Sequence, residues 1–390
     1  MKDKQVEKLI KAEDERQKET VSLIASENYV SKDVLEALGS RFTNKYSEGY
    51  PGRRYYGGQK VTDQLEELCI ARALKLFQLS KENWYVNVQP LSGSPANLAV
   101  YTALIPTGGK IMGMSLNNGG HLTHGHKVSA SGKFWTQIPY GVDPNTETLD
   151  YESLKVTAEK EKPAIIVAGY TAYPRIVDFK KFREIADACG ALLMVDMSHF
   201  AGLVAGRAYP SPFEYADVVT TTTHKTLRGP RSAMIFAKKD QRELDKKIEK
   251  AVFPGLQGGP HMNNIAAVAV ALKEANEPAF KKYAKQIIKN AQVLSGELQR
   301  LGWKIISGGT DSHLLLVDTW MDGKGISGDE ASKKLEKNGI IVNKNTIPNE
   351  KRSPMDPSGV RLGTAAETTR GAKEKDMVKL AKMIDQILKS

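Results

Sequence analysis

The chain has 390 residues, 41% hydrophobic and 26% charged, a balance that excludes a disordered or fibrous chain and leaves material for two or three domains. Its formal net charge of +11 is spread through helical stretches with no basic arm or arginine-rich block, so no nucleic-acid partner is expected, although an anionic small molecule would be attracted. Two cysteines far apart, Cys69 and Cys189, and no apolar run of spanning length argue against a disulfide framework, a zinc site and a membrane span; the charged start MKDKQVEKLIKAEDERQKE is no secretion signal, so a cytoplasmic protein with buried, reduced thiols is expected.

Residues 2–19 read as a charged helix with a thin apolar stripe, Val6, Leu9 and Ile10. Such a helix is marginal alone and is expected to pack on another surface, such as a second subunit. The stretch Val21–Tyr29 turns abruptly from apolar to polar, and Ser31 caps a short helix ending near Gly39. Asn44–Gln59, NKYSEGYPGRRYYGGQ, is a loop with four tyrosines, four glycines, two arginines and a glutamate. Disordered linkers lack aromatics, whereas binding loops combine them with arginine and glycine; a packed surface loop is the plainer alternative.

Thr62 is expected to open an amphipathic helix bearing Leu65, Leu68, Cys69, Leu76 and Phe77. Trp84–Val88 reads as a strand running into QPLSGSPAN at 89–97. With Ser94 as the N-cap and Pro95 in the first turn, free N–H groups, the helix dipole and two serine hydroxyls converge into a phosphate cradle, or into an ordinary helix cap. Lys110–Met114 is strand-like. Three of the seven histidines fall within residues 121–126, where glycines suit a cofactor pocket and no acidic or thiol ligand supports a metal.

Ala164–Ala168, Ala191–Val195 and Val218–Thr222 are short apolar runs separated by helical stretches, a βαβ pattern that predicts a parallel sheet. Asp196 ends the second run and His199 lies three residues on, at the strand ends where open α/β sheets bind ligands. Asp196 there is a turn cap or a buried counter-ion. The third run stops at His224-Lys225, before Gly229 and Pro230. A lysine where strand ends meet in a dry cleft loses charge stabilisation, and its neutral amine becomes available for a Schiff base. A surface lysine after an edge strand is the alternative.

Phe253–Pro260 is a second glycine-rich turn. Beyond it the pattern shifts: strands are expected at Trp303–Ile306, Leu314–Val317 and Gly339–Val342, helices at Asp329–Glu336 and from about Lys373. Ser353–Gly363 is a loop entering a strand with Arg361, a candidate carboxylate fork. The expected division is an N-terminal helical arm over 1–20, a large domain over 21–276 and a small α+β domain over 277–390.

An α/β sheet that gathers a lysine, a phosphate cradle, a strand-end aspartate, histidines and an arginine has the parts that pyridoxal phosphate needs. Nine motifs stand in order over nearly the whole chain: LIASENY at 23–29, TNKYSEGYPGRRYYGG at 43–58, VQPLSGSPAN at 88–97, GGHLTHG at 119–125, VDMSH at 195–199, TTTTHKTLRGPR at 220–231, FPGLQGGP at 253–260, NKN at 343–345 and SGVRLGT at 358–364. Together they resemble the serine hydroxymethyltransferases, fold-type I pyridoxal-phosphate enzymes. The resemblance implies a large domain with a mostly parallel seven-stranded sheet and a small C-terminal α+β domain.

The resemblance also implies roles. Lys225 carries pyridoxal 5'-phosphate as a Schiff base, with His224 beside the phosphate and Ser92, Gly93 and Ser94 holding it. His121 stacks on the pyridine ring, Asp196 meets its nitrogen, and His199 and Thr171 sit near its phenolic oxygen. Ser26, Tyr46, Glu48, Tyr55 and Tyr56 reach cofactor and substrate, several of them from a partner subunit, and Gly259 meets a neighbouring phosphate. Glu48 handles protons, and Arg361 binds the amino-acid carboxylate. Leu116, Gly120, His121, Leu122, Asn345, Ser353, Pro354 and Met355 match the folate site. Three departures stand out: Thr171 where serine is common, Leu91 where histidine is frequent, and Met355 where phenylalanine is frequent. The last bears on folate affinity.

The implied reaction is the reversible transfer of the serine hydroxymethyl carbon to tetrahydrofolate, giving glycine. A folate-independent threonine or allo-threonine aldolase on the same scaffold is the rival, and the loop around Glu48 and the Asn343–Asn345 stretch favour the transferase. The implied partners are serine, glycine, tetrahydrofolate and a second copy in a homodimer with shared active sites, with dimer or tetramer left open and no metal.

Overall fold

A computed structural model describes all 390 residues. Its centre is a seven-stranded sheet ordered Trp84–Asn87, Ala233–Lys238, Val218–Thr222, Leu192–Asp196, Ile165–Gly169, Lys110–Met114 and Thr136–Tyr140. Ala233–Lys238 runs antiparallel to both neighbours, and all other pairings are parallel. The strands Ile165–Gly169 and Val218–Thr222 are buried at every position, which explains their continuous apolar and β-branched character. Helices cover both faces, and two separate apolar clusters form against the sheet.

Sequence and structure differ at several boundaries. Two strands carried no distinct signal: Thr136–Tyr140 is a half-exposed edge strand with Pro139 in it, and Ala233–Lys238 follows directly on the Gly-Pro-Arg turn. The helix expected from Thr62 begins at Lys60, because Lys60 and Val61 are both exposed and add nothing to the buried stripe, which starts at Thr62. Ser94 is not the N-cap of its helix. Ser92 is, with extended dihedrals, and the helix runs Gly93–Leu104. Cys69 is buried, but Cys189 is half-exposed, because it is the last residue of the helix Phe179–Cys189 and reaches the surface. The loop Asn44–Gln59 contains a tight hairpin, Gly49–Tyr50 against Arg53–Arg54.

A second, antiparallel sheet is ordered Lys304–Ile305, Leu314–Asp318, Gly359–Gly363 and Asn343–Asn345. It shares its own apolar cluster with the helices Gly328–Lys337 and Glu374–Lys389. Ile340–Ile341 does not join that sheet; it pairs in parallel with Val21–Ser22. The long helix Pro278–Arg300 serves both cores: Phe280, Ala284 and Ile287 pack in the larger, and Leu294 and Leu298 in the smaller. The first helix, Lys4–Glu19, buries no residue. No helix is long and apolar enough to cross a membrane.

Candidate active site

The parallel strands end on one side of the large sheet, and the segments that leave them line a cavity of about 320 Å³. Asp196 arrives from Leu192–Asp196, with Ser198 and His199 just beyond; His224 and Lys225 follow Val218–Thr222; Thr171 follows Ile165–Gly169. The helix Gly93–Leu104 points its N-terminus into the same space, and Arg361 enters from the second sheet. The charged lining consists of Lys225, Arg231 and Arg361 against the single carboxylate of Asp196, so the cleft favours anions.

Lys225 is 8% exposed, and its Nζ finds no hydrogen-bond partner. Burial pushes its pKa down to about 8; Asp196 partly opposes this, while Arg361 and Arg231 add to it. Asp196 lies in the opposite situation. Burial alone would raise its pKa, but hydrogen bonds from His124, Ser198 and Asn97 hold it well below the usual carboxylate range. The donors are His124 Nε2 at 3.2 Å, the Ser198 backbone N–H at 3.1 Å and Asn97 Nδ2 at 2.9 Å. Because a carboxylate only accepts, His124 carries its proton on Nε2, and its Nδ1 accepts the backbone N–H of His121.

Burial keeps the other cleft histidines neutral. His121 is pushed down to about 4, with His124 and Lys225 contributing, and His224 to about 3, with Lys225 and Arg231 contributing. His199 lies well below the ordinary imidazole range, chiefly from burial and then from Lys225 and Arg361. Its Nδ1 is 3.2 Å from Nε2 of His313, which reaches in just ahead of Leu314–Asp318.

The arginine that enters from the second sheet is held on two sides. Arg361 donates from Nε to Asn343 Oδ1 at 3.1 Å and from Nη1 to the Thr171 carbonyl. Burial pushes its pKa down to about 10. The Thr171 hydroxyl faces the carbonyls of Gly119 and Gly120 at 3.1 and 3.0 Å, so its one proton is committed there and only its lone pairs remain for a ligand.

The donor set fits pyridoxal phosphate. Ser92 makes no side-chain cap bond, so the N–H groups of Gly93 and Ser94 at the start of the helix are left without an intrahelical partner. A Cβ at Gly93 would lie 2.7 Å from Thr222 Cγ2, so only glycine lets this backbone approach so closely. Nδ1 of His224 is buried without a partner beside the same turn. An unpartnered amine, an anion cradle and an ionised carboxylate thus share one cavity. No three His, Cys, Asp or Glu side chains converge to hold a metal.

The family model for serine hydroxymethyltransferase matches residues 1–384. The chain belongs to the serine hydroxymethyltransferase family. It is 55% identical to a serine hydroxymethyltransferase of Desulfotalea psychrophila over 386 residues, covering 99% of this chain and 88% of that protein. A protein named serine hydroxymethyltransferase from Legionella pneumophila is 55% identical over 381 residues, 98% of this chain and 90% of that one. A probable cytosolic serine hydroxymethyltransferase of Schizosaccharomyces pombe is 51% identical over 402 residues, 99% and 85% of the two.

Within this serine hydroxymethyltransferase fold the expected residues fall into three groups. Ser26, Ser92, Gly93, Ser94, His121, Thr171, Asp196, His199, His224, Lys225 and Arg361 all line the cleft. Tyr46, Glu48, Tyr55, Tyr56 and Gly259 do not. They form a separate cluster in which the Tyr46 and Tyr56 hydroxyls donate to Glu48 at 2.9 and 3.3 Å and the Tyr46 ring covers Gly259. Tyr46, Tyr55 and Tyr56 are 57%, 74% and 50% exposed. Of the residues matched to folate, His121 alone lines the cleft. The Gly120 carbonyl is bonded through Thr171 to Arg361, and Asn345 is bonded through Asn343 to the same guanidinium. Leu122 and Met355 are exposed.

Sequence reasoning did not single out Asn97, Tyr170, Ser198, Thr222 or Arg231, which also line the cleft, nor His124 and His313 behind it. For Asn97 a signal existed: it lies three residues after Ser94 on the same helix, so the two share a face.

Proposed function

We propose that the cleft around Lys225 holds pyridoxal 5'-phosphate and that the protein moves the hydroxymethyl carbon of serine to tetrahydrofolate, leaving glycine. The observation that carries this reading is Lys225 itself, a buried amine without a partner and with its pKa brought down to about 8, beside an ionised aspartate and an arginine fork. Lys225 would hold the cofactor covalently through Nζ. Ser92, Gly93, Ser94 and His224 would hold its phosphate, Asp196 its pyridine nitrogen, and His121 the face of its ring, with His199 and Thr171 on the side of its phenolic oxygen. When bound, the cofactor supplies an electron sink for the pair released as the Cα–Cβ bond of serine breaks.

The remaining tasks fall to the chain. Asp196, kept ionised by three donors, holds a negative charge against a protonated ring nitrogen. Arg361 has used one Nε and one Nη1 hydrogen, which leaves three N–H donors for the substrate carboxylate. Lys225, when its amine is freed from the cofactor, would accept and return a proton within the cleft. Glu48 moves a proton at the substrate hydroxyl oxygen. Because Glu48 does not line the cleft of its own chain, we assign it, with Tyr46, Tyr55, Tyr56 and Gly259, to the site of a neighbouring copy in a homodimer. Tetrahydrofolate is placed over Leu116, Gly120, Leu122, Asn345 and Ser353–Met355. A cytoplasmic location is supported by the fission-yeast relative, which is named as cytosolic.

The test is an assay of purified protein with cofactor and serine, with and without tetrahydrofolate. Glycine should form rapidly only with tetrahydrofolate. Faster cleavage of threonine without folate would instead make the protein an aldolase.

A further inference from the structure

One buried amide reaches two of the groups assigned to the cofactor. Asn97 donates from Nδ2 both to Asp196 Oδ2 at 2.9 Å and to Thr123 Oγ1 at 2.9 Å. Its Oδ1 accepts the Thr220 hydroxyl at 2.7 Å, which fixes the orientation of the amide. Thr123 Oγ1 lies 2.7 Å from Nδ1 of His121, and the Thr123 backbone N–H faces the same nitrogen at 3.2 Å. Asn97, Thr123 and Thr220 are all buried, so no water competes for these partners.

The direction of each bond follows from the donor inventory. An amide NH₂ only donates, so the Thr123 oxygen accepts from Asn97 and its single proton must point elsewhere. The available acceptor is Nδ1 of His121. That nitrogen then faces two donors and cannot carry hydrogen, so the proton of the neutral His121 ring sits on Nε2.

We propose that Asn97 is a positioning residue that sets two properties of the cofactor site through one side chain. Directly, it holds the Asp196 carboxylate in place and ionised. Through Thr123, it fixes the tautomer and orientation of the His121 imidazole. The proposal rests on the cofactor reading of the cleft, but the His121 tautomer is a property of the protein without cofactor.

The test compares wild type with Asn97→Ala and with Thr123→Val, a near-isosteric change that breaks only the His121 branch. Nitrogen-15 spectra of the histidine side chains in the cofactor-free protein report the tautomer. Wild-type His121 should show a bare Nδ1 and a protonated Nε2, and both variants should show averaged signals from mixed tautomers. Pyridoxal phosphate labelled at the ring nitrogen then reports the Asp196 branch: Asn97→Ala should lose ring protonation in the neutral pH range and bind the cofactor ~10- to 100-fold more weakly, the loss of a hydrogen bond to a charged group. Thr123→Val should keep the wild-type ring-nitrogen signal. A His121 spectrum unchanged in Thr123→Val overturns the relay even if Asn97→Ala does not fold, and a ring nitrogen unchanged in Asn97→Ala overturns the Asp196 branch. Failure of wild type to bind pyridoxal phosphate refutes the cofactor reading, while the histidine spectra still decide the relay.

Discussion

Burial deprives the Lys225 ammonium of hydration, and the structure gives it no partner in return. A fall from 10.5 to about 8 corresponds to about 3 kcal/mol carried by the folded protein at neutral pH. The sign is definite. Below pH 8 the lysine is charged in both folded and unfolded states and the whole cost is present; between pH 8 and 10.5 only the unfolded chain holds the proton, and the cost disappears. Lys225→Met should therefore stabilise the cofactor-free protein against urea at pH 7, with an advantage that fades as the pH rises through that window. Arg361 gives a second residue-scale expectation. Arg361→Ala should lower serine affinity by roughly 2–5 kcal/mol in a binding titration, with cofactor uptake unchanged, and Arg361→Lys, which keeps the charge but loses the fork, should also bind serine poorly. Lys225, Asp196 and Arg361 were legible in the sequence because each interrupts or ends an apolar run. His313 was not, because its importance lies in whom it faces across the fold.

The hairpin Gly49–Tyr50/Arg53–Arg54 is the element that presents Glu48. Arg54, its side chain 3% exposed, donates from Nη1 to the carbonyls of Ser47 and Gly49, the residues on either side of Glu48, at 2.9 and 2.8 Å. It is anchored by Asp63 at 2.8 Å and by the buried Glu66 at 2.6 Å. Removing one partner from such a buried pair costs about 3–5 kcal/mol. Arg54→Met should lower the midpoint of thermal unfolding and loosen the hairpin, seen as faster amide exchange at Gly49 and Tyr50. The sequence showed this loop as unusual but not its hairpin, because a turn of two residues between strands of two leaves no periodicity to read. The buried central strands were legible for the opposite reason, since each is a continuous apolar or β-branched run. The half-exposed Thr136–Tyr140 lacked that signature, and an unrecognised extended start at Ser92 displaced the expected cap by two residues.

At the scale of the molecule, we propose a division into an arm over 1–20, a large domain over 21–276 and a small domain over 277–390, with Pro278–Arg300 packed into both cores and Leu23 packed in the smaller. The arm buries nothing, and the Glu48 cluster lies outside its own cleft; we propose that both meet a second copy of the chain. If sites are shared in this way, subunit exchange between inactive Lys225→Ala and inactive Glu48→Gln should restore one working site per mixed dimer. Verified mixed dimers that stay inactive would place both residues in the site of one chain.

Among all the lysines of a strongly basic chain, Lys225 is the one we propose to hold the cofactor. Borohydride reduction of the protein loaded with pyridoxal phosphate, followed by peptide mass mapping, tests it most directly. A single pyridoxyl group on Lys225, absent from Lys225→Ala, is the predicted result; label spread over surface lysines, or retained in the cleft of the variant, would contradict it.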